Sequence, residues 1–221
     1  MTDNVLIVEG NADVFFFDAL IREWNLPSVE VSPPASVSRA NGKFHAIATL
    51  DVYVKQLLDD SIRRLAIVVD ADTPLDDQSR GLAVTLAAID RRMNSHGFSR
   101  TSCAGGGFVY TPRASKKTSQ VFLWVMPDSI TDGSLEDFVR IQVPDSGDQS
   151  DWYKRARDTV AALDTPLFNR QAHELKAITS TWLAWQRYPG KGMQSVVGDR
   201  LIDLESGLAS QLRSWLSAAF K

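Results

Sequence analysis

Short apolar runs alternate along this chain with longer stretches in which apolar residues recur every three or four positions. These are the signatures of buried strands and amphipathic helices. Asn4 to Val8 (NVLIV) is the first run, and a turn at Glu9-Gly10-Asn11 leads into helical spacing from Ala12 to Trp24 through Phe16, Ala19 and Leu20. Val29 to Val31 predicts a second short strand, ended by Pro33-Pro34, and Ser32 to Gly42 reads as loop. Phe44 to Leu58 predicts a helix with Ile47, Leu50, Val54 and Leu57 on one face. Leu65 to Val69 (LAIVV) is the strongest strand and runs into Asp70-Ala71-Asp72. Ser79 to Asn94 predicts an amphipathic helix closed near Gly97.

Gly105 to Thr111 and Gln120 to Met126 predict two more strands, joined by the basic loop PRASKKTS. Ser134 to Phe138 opens a short helix. Beyond the polar break VPDSGDQSD, the pattern predicts three helices: Trp152 to Leu163, His173 to Trp185 and Leu201 to Phe220. Strands alternating with helices predict an α/β fold, with a mostly parallel sheet flanked by helices and a helical C-terminal extension. The expected division is an α/β domain over residues 1–145, with residues 146–221 packed on it as helices.

Composition narrows the function. Lys and Arg number 24 against 27 Asp and Glu, a net charge of −3, so nucleic-acid contact would need a local basic patch or metal ions. One cysteine, Cys103, excludes an intrachain disulfide framework or a Cys-based zinc site, and three histidines make a histidine-rich metal centre unexpected. The start MTDNVLIVEG lacks a basic leader, and no apolar run approaches about 18 residues. The expectation is a soluble, cytoplasmic protein without membrane contact.

The chemistry collects where strands end. In open α/β sheets, ligands bind outside the carboxyl ends of the strands, and three strand ends here carry acids: Glu9, Asp70 with Asp72, and Asp128 with nearby Glu136-Asp137. Alternate residues at a strand end project to one side, so Asp70 and Asp72 can place two carboxylates around one cation. Oxygen ligands suit Mg²⁺. Asp13 also stands where a helix N-terminus favours an acid, and Glu9 alone would pass as a solvated loop residue.

VLIVEG followed by LAIVVDAD resembles the Toprim fold, shared by topoisomerases, primases, ribonuclease M5 and OLD-type nucleases. The spacing, about 60 residues between the first acid and the Asp-x-Asp strand end, fits as well. The segments WVMPDSITDGSLEDFV and LKAITSTWLAWQRYPG and the ending LRSWLSAAF resemble a small stand-alone Toprim-related group of unknown function, DUF3226, over nearly the whole chain. Thr73-Pro74 stands where topoisomerases and primases carry Gly-Glu, and neither a topoisomerase tyrosine domain nor a primase zinc ribbon is present. These departures point to the nuclease branches.

The resemblance implies roles: residues 1–145 as a Toprim-like catalytic domain, Glu9 as metal ligand or general acid/base, and Asp13, Asp70 and Asp72 as metal ligands. Glu136 and Asp137 would hold a second ion, and a distal lysine, Lys176 with Lys191 as the other candidate, would stabilise phosphate charge. It further implies Mg²⁺ or Mn²⁺, DNA as the substrate ahead of RNA, and a place in phage defence or repair. No Walker A loop occurs in the sequence, so any ATP hydrolysis would come from a separate ATPase subunit. A homodimer is compatible with these features.

Three other readings compete. A ribonuclease M5-like RNA endonuclease would use the same acids. A non-catalytic Toprim subunit binding nucleic acid or a partner would not need them, and the full acid set argues against it. VVDADT also matches the haloacid-dehalogenase phosphatase signature, with Asp70 as nucleophile, Asp72 as general acid and VVGDRLID supplying Asp199 and Asp203. That family places its nucleophile strand first, whereas a complete strand-helix-strand-helix precedes Asp70 here, and Glu9 and Asp13 would have no role.

Arg113, Lys116 and Lys117, near Tyr110, could track a phosphate backbone, or form an ordinary solvated loop. Gly105-Gly106-Gly107 precedes a strand instead of opening a helix, so it reads as a flexible turn. Trp124, Trp182 and Trp215 are expected in the core, and Cys103 as an incidental small residue.

Overall fold

A computed structural model describes residues 3–32, 42–74, 80–113, 119–205 and 207–221. The strands are β1 (Asn4–Ile7), β2 (Glu30–Ser32), β3 (Arg64–Asp70), β4 (Phe98–Ser102), β5 (Phe108–Pro112) and β6 (Val121–Met126). They form one sheet in the order β2-β1-β3-β6-β5-β4, parallel from β2 to β6 and antiparallel from there to the β4 edge. The helices are α1 (Asn11–Glu23), α2 (Lys43–Leu58), α3 (Leu82–Ser95), α4 (Leu135–Gln142), α5 (Asp148–Ala161), α6 (Arg170–Ala184), α7 (Gln194–Gly198) and α8 (Gly207–Phe220). The protein is thus α/β, with helices covering both faces of a mostly parallel sheet.

Strand alternation sorts the core into two layers. Val5, Ile7, Leu65, Ile67, Val69, Leu123 and Val125 face α2 and α3. Leu6, Val8, Ala66, Val68, Phe122, Trp124 and Met126 face α1 and the helices from α4 onward. Burial on both faces is what turns β1, β3 and β6 into continuous apolar runs. The C-terminal helices share the second layer with the sheet: Trp215 of α8 lies 5.7 Å from Trp124 of β6, ring centre to ring centre.

Several elements depart from the sequence expectation. FSRTS forms the edge strand β4, although only Phe98 of its five residues is buried. At a sheet edge, backbone pairing with β5 substitutes for the apolar pattern that would announce a strand. The expected helix from Leu201 begins only at Gly207, and the short α7 precedes it. The helix expected from Ser79 starts at Leu82, and Ser79 itself lies outside the described residues, as does most of the Ser32–Gly42 loop. Gly105–Gly107 is a turn against α8: a Cβ on Gly107 would stand 2.8 Å from both the Trp215 indole and the Leu123 carbonyl. Packing therefore requires that glycine.

The chain leaves β1 into α1 on one face of the sheet, and it reaches and leaves β3 through α2 and α3 on the other. The crevice between adjacent β1 and β3 is therefore the switch point of the sheet, where side chains at the carboxyl ends are left uncovered.

Candidate active site

Glu9 lies two residues beyond β1, and one of its carboxylate oxygens accepts the amide of Asp70 at 2.8 Å, which ties the two strand ends together. Asp13, on the first turn of α1, accepts the Gly10 amide at 3.0 Å, so the helix-start role open to it in the sequence is realised. Asp70 accepts the amide of Leu135 at 2.9 Å, which places its carboxylate at the N-terminus of α4. Glu136, the next residue of α4, lines the same hollow of about 270 Å³ as Glu9, Asp13, Asp70 and Lys176. An adjoining cleft of about 500 Å³ shares Asp70, Glu136 and Lys176 with that hollow and is also lined by Asp72, Asp137, Arg80 and His173.

Crowding perturbs these acids. Burial, with the charges of Asp13 and Asp72, pushes the Glu9 carboxyl up from 4.5 to about 7, against the Asp70 amide and the Lys43 ammonium. Burial and then the Glu136 charge push Asp13 up to about 6. Asp70 is raised well above the usual carboxylate range by burial and by Glu9, Asp13, Glu136 and Asp72, in that order. Lys176 is raised by Glu136 first, and burial opposes that shift. Mutually raised carboxyls in a cleft mark a candidate functional site on physical grounds.

Not every predicted residue joins the cluster equally. Asp137 is turned to capping α4: it accepts the Ser134 amide at 3.0 Å and pairs with Arg140 at 3.5 Å. Lys176 reaches Glu136 at 3.6 Å, whereas Lys191 pairs with Asp199 at 3.0 Å in a different hollow beside Arg22 and Glu23. Of the two lysine candidates, the fold brings Lys176 to the acids. Asp199 and Asp203, the downstream acids of the phosphatase reading, line neither acidic cavity. Arg113 follows β5, whose register pairs Tyr110 with Val121 at the start of β6. It therefore stands at the amino edge of the sheet, about 25 Å from Asp70 along the strand direction, and bonds Asn94 at 2.5 Å. Lys116 and Lys117 lie outside the described residues.

Lys43 is the residue that the sequence pattern did not single out. It opens α2, its ammonium is buried, and it bonds the carbonyls of Asp70 and Ala71 at 3.2 and 3.0 Å and the Asp72 carboxylate at 2.5 Å. One signal existed: a cation at a helix N-terminus opposes the macrodipole, so a lysine there needs an acid to hold it.

Among the described residues, no three His, Cys, Asp or Glu side chains already stand as a metal shell. The donor chemistry nevertheless fits a hard cation: every candidate ligand is a carboxylate, and each raises the pKa of its neighbours. Mg²⁺ keeps most of its waters and takes one or two carboxylates, so it does not require a closed protein cage. Glu9, Asp13, Asp70 and Glu136, which line one hollow, are the carboxylates that could offer oxygens to such an ion.

Fold and site together define an α/β protein with an acidic crevice at the switch point of its sheet. The chain belongs to the family described as a protein of unknown function, DUF3226, whose model matches residues 3–221. No curated protein and no solved structure matches the chain. Among the described residues, no helix is long and apolar enough to cross a membrane.

Proposed function

We propose that this protein is a divalent-metal-dependent nuclease that hydrolyses phosphodiester bonds of DNA at the Glu9–Asp70 crevice. The observation that carries this reading is the convergence of Glu9, Asp13, Asp70 and Glu136, from three separate chain segments, opposite the Lys176 ammonium. A bound Mg²⁺ or Mn²⁺ would polarise the attacking water and the phosphate oxygens. Glu9, tied to the end of β3 through the Asp70 amide, is placed to take a proton from water and return it to the leaving oxygen. Lys176, 65% exposed, is free to extend across the cleft and hold the negative charge that grows on the scissile phosphate. By the likeness to OLD-type nucleases, the proposal extends to phage defence or repair beside a separate ATPase subunit.

The test is incubation of the purified chain with plasmid, linear DNA and tRNA in Mg²⁺, Mn²⁺ or EDTA, with Asp70→Asn and Glu9→Gln alongside. Expected is metal-dependent DNA cleavage that both substitutions abolish. Cleavage confined to tRNA would favour the RNA endonuclease. Turnover of a small phosphomonoester that survives Glu9→Gln would replace the reading with the phosphatase, and no turnover of any substrate would leave a binding subunit.

A further inference from the structure

Four of the six tryptophans, Trp24, Trp124, Trp182 and Trp215, are buried. The other two are 41% and 40% exposed, yet they meet: Trp152 on α5 and Trp185, which caps α6, stand edge to face with ring centres 6.2 Å apart. They border an open hollow of about 770 Å³ that Thr159 and Ala162 also line. The Arg155 guanidinium lies over the Trp152 ring, 5.1 Å from its centre. The pattern recurs three residues beyond Trp185, where the exposed Tyr188 ring carries Arg187 at 5.4 Å and the Lys191 ammonium at 4.5 Å.

Charge sets this surface apart from the rest of an acidic chain. From Lys176 to Gly198 the sequence carries Lys176, Arg187 and Lys191 and no acid. The carboxylate in the hollow, Asp158, is already answered by Arg157 at 3.3 Å. Among the described residues, neither Arg155 nor Arg187 pairs with a carboxylate. A guanidinium stacked on a ring still has its in-plane N–H groups to donate.

We propose that Trp152 and Trp185 form a stacking platform for the unpaired bases of single-stranded nucleic acid, with Arg155 and Arg187 taking neighbouring phosphates. Stacking on an aromatic ring tolerates any base, because every base has a π-face. An apolar peptide would cover the rings and leave both guanidiniums without acceptors, whereas a strand supplies π-faces and phosphate oxygens together. A duplex hides its base faces. The platform is remote from the acids: Trp185 follows Lys176 by nine residues, about 14 Å along the α6 axis and half a turn around it. It is a grip on the strand outside the crevice, and it needs no metal ion.

The ligand class rests on the nucleic-acid reading above, and binding in EDTA, where no cleavage is required, separates the two. Fluorescence anisotropy follows a labelled oligothymidylate of about twelve nucleotides, an abasic strand of that length and a duplex of that length. Expected is binding of the oligothymidylate that the double substitution Trp152→Ala, Trp185→Ala weakens on the order of ten- to a hundredfold, with the abasic strand and the duplex little changed. Arg155→Gln should weaken the oligothymidylate and the abasic strand alike and lower the salt slope by about 0.7. Equal affinity of wild type and double variant for the oligothymidylate, or an equal loss on the abasic strand, would overturn the platform and leave cleavage at the crevice standing. Dimers in sedimentation that the two substitutions abolish would give the patch to a second copy of the chain and overturn it as well. The expected losses in a chain that cleaves nothing would keep the platform and end the nuclease reading. Circular dichroism confirms folding, and should the double variant unfold, Trp152→Ala alone decides on the same three ligands.

Discussion

Glu9 has an ionisation that opposes folding. Its carboxyl titrates near 4.5 in a solvated chain and near 7 in the crevice. Below about pH 4.5 both states are protonated and the contribution to stability is fully present. Between those values the unfolded chain releases its proton while the folded chain retains it, so stability falls as pH rises, by up to about 1.4 kcal/mol per pH unit. In EDTA, the urea midpoint is expected to decline from pH 4.5 to 7, and Glu9→Gln is expected to flatten that slope. An unchanged slope in the variant would mean that the crowding of the acids is not felt by Glu9. Lys176 makes a different prediction, because its exposed ammonium contributes little to stability. Lys176→Ala should keep the fold and slow cleavage on the order of a hundred- to a thousandfold. Wild-type rates in that variant, measured on a labelled DNA, would remove the catalytic role proposed for it. Glu9, Asp70 and Asp72 were legible in the sequence because strand ends and an Asp-x-Asp pattern locate them, whereas Lys176 was offered, beside Lys191, only by the resemblance to OLD-type nucleases. Lys43 was not, since its partners include two backbone carbonyls that no side-chain pattern encodes.

At the scale of elements, α8 is the outer wall of one core layer. Trp215 is essentially fully buried and packs on Phe122 and Trp124 of β6, the strand beside β3. Trp215→Ala should cost about 3–5 kcal/mol, as large-to-small changes at packed sites do, and urea denaturation followed by circular dichroism would measure it. A cost under about 1 kcal/mol would mean that α8 is a loosely held cover. β1, β3 and β6 were readable because burial on both faces leaves no polar position in their centres. β4 was not, because an edge strand exposes alternate residues and FSRTS carries one buried side chain among polar ones. The start of α8 was misplaced for the opposite reason: Leu201, Ile202 and Leu204 are buried apolar residues at helix-like spacing, yet they lie in irregular chain before Gly207.

Across the whole molecule, the acidic crevice and Arg113 occupy opposite edges of the sheet, about 25 Å apart along the strands. A substrate shorter than that separation cannot touch both. Arg113→Ala is expected to weaken binding of a long duplex in a salt-sensitive manner and to leave a tetranucleotide unaffected, as fluorescence anisotropy at two salt concentrations would read. Duplex affinity in the variant equal to that of the wild type would confine recognition to the crevice side.

The placement of the acids at strand ends has a further consequence for how substitutions can be interpreted. Residues in the bodies of β1, β3 and β6 fill the core, whereas Glu9, Asp70 and Asp72 meet the rest of the protein through single oxygen atoms that accept from an amide or an ammonium. A carboxamide keeps an acceptor oxygen and a nearly identical shape. Exchanging acid for amide at Glu9 or Asp70 therefore removes charge while sparing the bonds that join the strand ends. Chemistry and architecture are thus written on separate atoms of the same residues, and each can be altered without erasing the other.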